Sequence, residues 1–161
     1  MISHMMKKYL FLLIFLLFCV GLEAQKLSGK VVGVNDGDTF EMLVGNRKLK
    51  VRLEGIDCPE KGQAFGNAAK TYTSNLVFGQ YVSVYVKSYD RYKRAIAIVY
   101  LPGGGTLNEA LLSSGMAWHF KKYNNDKSWA RLENQARKSR IGLWSDSNPI
   151  PPWEFRKSRR R

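Results

Sequence analysis

Residues 36 to 60 hold six of the 13 acidic residues of a chain that carries 26 lysines and arginines. They are Asp36, Asp38, Glu41, Glu54, Asp57 and Glu60, set in Asp36-Gly37-Asp38-Thr39 and in Arg52-Leu53-Glu54-Gly55-Ile56-Asp57-Cys58-Pro59-Glu60. Three fall in or beside turns, where short carboxylates on fixed backbones can converge on a hard cation. Arg52 among them can face a phosphate with its planar fork of N–H donors. An acidic pocket within a basic surface suits metal-dependent chemistry on a polyanion.

The elements that must position these residues can be read from periodicity. Residues 27 to 34 and 39 to 44 read as strands around Asn35-Asp36-Gly37-Asp38, a hairpin signal of the Asp-Gly type. Gly45-Asn46 turns into a third strand in which Leu49, Val51 and Leu53 face one way and Lys48, Lys50 and Arg52 the other. Residues 55 to 62 form a loop. A helix over 63 to 78 follows, with Ala64, Ala68, Ala69, Tyr72, Leu76 and Val77 as its apolar stripe. Val82, Val84 and Val86 mark a fourth strand, and Ile96, Ile98 and Tyr100 mark a fifth. Between them lies the charged turn Tyr89-Asp90-Arg91-Tyr92-Lys93-Arg94.

Pro102-Gly103-Gly104-Gly105 lacks the Gly-Lys-Ser/Thr of a phosphate loop and reads as a tight connection. Thr106 caps a helix from Leu107 to Ser114, and Asp126 or Ser128 caps a last one running to about Ser139. Residues 148 to 152 are expected to end regular structure, leaving residues 147–161 as a basic tail that is disordered over Arg156 to Arg161. The pattern is that of a small α+β domain with a five-stranded sheet, in the order expected of an oligonucleotide-binding (OB) barrel.

Lys7-Lys8, the apolar run from Tyr9 to Leu22, and Glu23-Ala24-Gln25 read as a secretory signal over residues 1–24, with an uncleaved anchor as the alternative. Cleavage there removes Cys19, so Cys58 has no partner for an internal disulfide. It also takes the basic and acidic residues to 24 and 12, still a large positive excess. Such an excess favours polyanions, nucleic acid first, although adhesion to an anionic cell envelope is an alternative.

Val34-Asn35-Asp36-Gly37-Asp38-Thr39, the stretch from Arg52 to Glu60, and Asp90-Arg91-Tyr92-Lys93-Arg94 stand in order between strands of the right number. With Leu107-Asn108-Glu109-Ala110-Leu111 and Gly142-Leu143-Trp144, they make residues 27 to 146 resemble the staphylococcal nuclease (thermonuclease) family. The resemblance implies a five-stranded OB-fold barrel with three α-helices over residues 25–146. It also implies a monomer with no stable protein partner and a Ca²⁺-dependent endonuclease that cleaves DNA or RNA to leave 3′-phosphate ends.

It further implies a division of roles. Asp38 and Asp57 supply oxygen ligands to Ca²⁺, and the main-chain carbonyl of Cys58 stands where the family has a threonine. Glu60 aligns with the general base, and Arg52 and Arg94 with the two catalytic arginines. Arg91, Tyr92 and Tyr123 match positions that contact the nucleotide, whereas a further family tyrosine is Lys121 here and a frequent glycine is Lys93. Alone, Asp38 could simply complete a turn, Asp57 cap a loop and the arginines form surface ion pairs. Cys58 as a nucleophile lacks a base, since the other histidine besides His119 is His4. Trp118 reads as core. The rival class is a non-catalytic nucleic-acid-binding barrel, which has no need of Asp38, Arg52, Asp57, Glu60 and Arg94 together.

Overall fold

The structure is a computed structural model that describes residues 25–159; the expected export signal, with Cys19 and His4, lies outside the described residues. The β1 strand (Gln25–Asp36) turns through Gly37-Asp38 into β2 (Thr39–Val44), which leads to β3 (Arg47–Leu53) and the short β4 (Ile56–Asp57). After helix α1 (Gly66–Val77) come β5 (Tyr81–Tyr89) and β6 (Ala95–Tyr100). Helix α2 (Leu107–Ser113), β7 (Trp118–His119), helix α3 (Lys127–Lys138), a 3₁₀ turn (Gly142–Ser145) and helix α4 (Pro152–Ser158) complete the chain.

Strands β1, β2, β3, β6 and β5 close a barrel in that order, with β3 and β6 parallel and the other pairs antiparallel. The fold is thus the α+β, OB-like barrel expected from the strand order, with four helices among the described residues where three were expected. Inside it lie Phe40, Met42, Val51, Leu53 and the valines of β5, closed at one end by Leu107, Leu111 and Leu112 of α2.

Two elements differ from their sequence pattern in face. On β6 the buried residues are Ala95, Ala97 and Val99, whereas Ile96, Ile98 and Tyr100 point outward. A narrow barrel selects small inward residues beside large ones, and Ala95 and Ala97 sit opposite Val51 and Leu53 across the parallel pair. On α1 the buried residues are Gly66, Ala69, Thr73 and Val77; Ala64 precedes the helix and Ala68 is exposed. Thr73 is tolerated in the interior because its hydroxyl donates to the Gly37 carbonyl at 2.6 Å. That bond ties α1 to the β1–β2 turn.

The larger correction concerns the C-terminus. Residues 152–158 are helical, with Pro152 in the first turn, where its missing N–H costs nothing and its fixed φ suits a helix. The Pro-Pro pair read from sequence as an end of regular structure is therefore a helix start. Trp153 stacks on Phe120 with ring centres 4.9 Å apart and meets Trp118 edge-on at 5.6 Å. Trp118 is buried, as its size suggested, in a second cluster with Trp144 and Leu143. These ring contacts hold α4 across the end of the barrel where β3, β4 and the β5–β6 hairpin open.

Candidate active site

Asp38 ends the β1–β2 turn beside the last residue of β3, and its carbonyl accepts the Leu53 N–H at 2.8 Å. Asp36 fixes the turn by accepting the Asp38 N–H at 3.2 Å. Gly37 has to be glycine here, because a Cβ would come 2.7 Å from Cys58 Cβ and 2.8 Å from Ala69 Cβ. The turn therefore packs against the segment that carries Asp57 and Glu60. That segment leaves β3 through Glu54-Gly55, whose Glu54 carbonyl accepts from the buried Asn108 amide at 2.9 Å. The β4–β7 pairing then sets Asp57 beside Trp118.

Arg52 bridges the two aspartates: Nη1 donates to Asp38 Oδ1 and Nη2 to Asp57 Oδ1, both at 2.8 Å. Asp38 also accepts from the Thr39 hydroxyl at 3.0 Å and, through Oδ2, from the Cys58 N–H at 2.9 Å. Arg156 of α4 donates to Asp57 from both ends of its fork, at 3.1 Å to Oδ1 and 2.7 Å to Oδ2, and to Glu60 Oε1 as well. Glu60 stands at the edge of the loop, its N–H held by the Gln63 side chain at 3.0 Å.

Burial pushes both Asp38 and Asp57 above the ordinary carboxylate range, and the nearby guanidinium groups only partly offset it. Burial would by itself favour loss of the Arg52 proton, but Asp38 and Asp57 outweigh it and hold that group charged. The Cys58 thiol is pushed well up, first by burial and then by Asp38, Asp57 and Asp36. A thiolate nucleophile is disfavoured there.

The opposite wall is the β5–β6 hairpin. Asp90 accepts the N–H groups of Tyr92 and Arg94 at 2.9 and 3.0 Å and takes Arg94 Nε at 2.8 Å. Tyr92 is 62% exposed, with the Arg91 guanidinium 4.8 Å from its ring centre and that of Arg94 at 5.4 Å. Tyr123, 65% exposed, rests edge-on against Phe120 from the loop after β7. Between the walls lies a cleft of about 760 Å³, lined by Asp38, Arg52, Cys58, Glu60, Arg91, Tyr92, Arg94, Tyr123 and Arg156 among others.

The structure therefore gathers Asp38, Arg52, Asp57, Cys58 and Glu60 into one cluster. It sets Arg91, Tyr92, Arg94 and Tyr123 around the same cleft, with Arg94 paired to Asp90 instead of to the cluster. Sequence reasoning passed over Arg156, and also Asp90 and Lys87, which line the cleft too. Arg156 carried no local signal, being one of several arginines in a basic terminus. Asp90 did carry one, since an aspartate that opens a charged turn commonly ties down the backbone two residues on.

Among the described residues no three His, Cys, Asp or Glu side chains converge to hold a metal by themselves. The donor set here is different in kind: two buried carboxylates bridged by one guanidinium and met by a second. Hard oxygen donors completed by water and a substrate phosphate suit Ca²⁺, which accepts six to eight oxygens in loose geometry. The residues present fit such an ion.

Comparison with known proteins agrees with this geometry. The chain is 41% identical over 140 residues to the micrococcal nuclease of Shigella flexneri, covering 81% of this chain and 80% of that one. It is 38% identical over 151 residues to an uncharacterized endonuclease of Escherichia coli O157:H7, covering 94% and 98%. A staphylococcal-like nuclease of Arabidopsis thaliana is 40% identical over 114 residues, 71% of this chain and 35% of the plant protein. Residues 50–146 match the family described as staphylococcal nuclease homologue, and the chain belongs to that family.

Proposed function

We propose that this nuclease is an exported, Ca²⁺-dependent phosphodiesterase that cuts DNA and RNA within the strand, as a monomer and with little sequence preference. The observation that carries the reading is the bridging of Asp38 and Asp57 by one guanidinium at the floor of a cleft with Glu60 at its edge.

Asp38, Asp57 and the Cys58 carbonyl would hold the ion. When bound, it supplies charge neutralisation at a phosphate oxygen and a place for water. Glu60 orients a water against phosphorus and takes its proton as the new oxygen–phosphorus bond forms. Rupture of the bond to the 5′ oxygen, which takes up a proton from solvent as it leaves, then gives a 3′-phosphate and a 5′-hydroxyl. Arg52 spends two of its five N–H donors on Asp38 and Asp57, so the remaining donors can meet the phosphate as charge builds. Arg94 meets it from the hairpin wall on leaving Asp90. Tyr92 and Tyr123, open to solvent, offer faces on which any base can stack, and Arg91 adds charge. Stacking of this sort does not discriminate bases, which accounts for low sequence preference. The basic excess of the chain favours loading of either polyanion.

The test is cleavage of single-stranded DNA, duplex DNA and RNA with Ca²⁺, with Mg²⁺ and with chelator, beside Glu60→Ser and Arg94→Gly. Activity should vanish with chelator, leave 3′-phosphate termini, and fall about 10²–10⁴-fold in each variant. Cleavage that persists in chelator, or that both variants retain in full, overturns the reading.

A further inference from the structure

Three of the arginines that line the cleft are placed differently. Arg52 belongs to the barrel wall and Arg94 to the hairpin. Arg156 reaches in from α4, about a hundred residues further along the chain, and takes both oxygens of Asp57 together with Glu60. Those are the carboxylates that the reading above needs available, one for the ion and one for the water. The Asp57 side chain is 0% exposed, and its Oδ2 has Arg156 as its partner. A cation cannot reach that oxygen without replacing the guanidinium.

We propose that Arg156 sets the Ca²⁺ concentration at which the site becomes active, by occupying the cation's place on Asp57 and tying down Glu60 beside it until the ion displaces it. The inference rests on the Ca²⁺-dependent reading. Charge explains why the exchange can proceed. Asp38, Asp57 and Glu60 carry three negative charges against two positive ones on Arg52 and Arg156. Asp36 beside Asp38 adds a fourth negative charge, so exchanging Arg156 for a divalent ion brings the cluster one charge closer to balance, and burial of the two aspartates raises the value of doing so.

The element bearing Arg156 is suited to release. Helix α4 has seven residues, too few to be stable alone, and Pro152 is its one fully buried residue. Its docking relies on Trp153 against Phe120 and Trp118, and on the Gln63 amide donating to the Ile150 carbonyl at 2.7 Å. Arg156 is 35% exposed, so its guanidinium can swing to solvent, or to a phosphate in the cleft, without crossing a packed core. Gln63 also holds the Glu60 backbone, which couples the position of the base to the seating of α4.

The experiment is calorimetric titration of CaCl₂ into the metal-stripped full chain, wild type beside Arg156→Gln, Arg156→Lys and Trp153→Ala. If the guanidinium competes with the ion, Arg156→Gln binds Ca²⁺ about tenfold more tightly, because the competent state no longer has to be freed first. Trp153→Ala, which keeps Arg156 but loosens its helix, shifts in the same direction by several-fold. In a Trp118→Phe, Trp129→Phe, Trp144→Phe background that still folds, the emission of the remaining Trp153 changes with the same midpoint as binding. Equal or weaker Ca²⁺ affinity in Arg156→Gln and Trp153→Ala overturns the competition while leaving Ca²⁺ dependence intact. A full loss of rate in Arg156→Gln at saturating Ca²⁺, with unaltered affinity, assigns Arg156 to phosphate instead and also overturns it. Absence of Ca²⁺ binding in every protein removes the calcium reading itself, and the competition with it. Should Arg156→Gln not fold, Arg156→Lys, which keeps the charge but loses the two-pronged hold on Asp57 and should bind Ca²⁺ more tightly than wild type, decides with Trp153→Ala between these outcomes.

Discussion

Asn108→Ala should destabilise the domain by about 2–4 kcal/mol and loosen the site, although residue 108 touches no substrate. Strand β6 pairs with β3 only from Ala95 to Ala97, after which β3 departs toward the site. Asn108 fills the gap: its Oδ1 accepts the Val99 N–H at 3.1 Å and its Nδ2 donates to the Glu54 carbonyl at 2.9 Å. The side chain is fully buried, so its removal strands one donor and one acceptor away from water. Each such group costs about 1–3 kcal/mol, less whatever the neighbours recover by relaxing. With a urea m-value of about 1–3 kcal/mol/M, the midpoint should fall by roughly 1–2 M at unchanged slope. The Glu54-Gly55 turn precedes Asp57 directly, so Ca²⁺ affinity should fall along with stability. A loss below about 1 kcal/mol, or undiminished Ca²⁺ affinity in a clearly destabilised variant, would refute the view that this seam positions the site.

Other positions give independent checks. Lys93→Gly should stabilise the protein by about 0.5–1 kcal/mol in thermal unfolding, since Lys93 holds φ +60° in the hairpin, a conformation that costs a side chain about 1–2 kcal/mol before glycine's extra unfolded-state entropy is counted. Gly37→Ala should cost about 1–3 kcal/mol, because its methyl would meet Cys58 Cβ at 2.7 Å and Ala69 Cβ at 2.8 Å. Its Ca²⁺ affinity should drop too, as the Cys58 N–H is drawn from Asp38. For Asp90, partial burial works upward, but hydrogen bonds from Arg94 and Tyr92 outweigh it and hold the carboxyl below its ordinary 3.8. The stability it contributes is therefore present above that value and lost only as pH falls through the lower folded one. Carbon-detected NMR should show Asp90 titrating below 3.8, with the Arg94 Nε–H resonance surviving to the same pH.

Where local pattern and tertiary demand agree, the sequence reads through to the structure. The β1–β2 hairpin, the outward Lys48, Lys50 and Arg52 of β3 and the inward valines of β5 follow from period-two alternation. Caps at Thr106 and Asp126 were legible because each side chain accepts a hydrogen bond from a nearby N–H. On β6 the alternation was legible and its face was not, since isoleucine outscores alanine for burial unless the barrel radius is known. The acidic half of the site could be found because turns and short spacings bring Asp38, Asp57 and Glu60 together. Arg156 could not, because its partners lie about a hundred residues away and its placement depends on rings of Trp153 and Phe120 finding each other.

That long-range placement bears on how an acidic site survives inside a basic protein. Asp57 is wholly buried and Asp38 nearly so, and ionised carboxylates in that position are tolerable only with cations in contact. Arg52 cannot neutralise both, and it is fixed in the barrel wall. A second cation in contact with Asp57 therefore stabilises the metal-free fold. Arg156 meets that need from a short helix whose hold is limited. A residue bound more firmly would stabilise the empty fold further while excluding the ion from Asp57. One bound less firmly would leave Asp57 and Glu60 repelling each other. On the proposed Ca²⁺ reading, the strength of the α4 docking is set between the stability of the metal-free domain and its affinity for the ion, and the two should move in opposite directions. Trp153→Ala ought to lower the urea midpoint of the metal-free protein while raising its Ca²⁺ affinity. A variant that lowers both would show that α4 supports the ion site instead of competing for it.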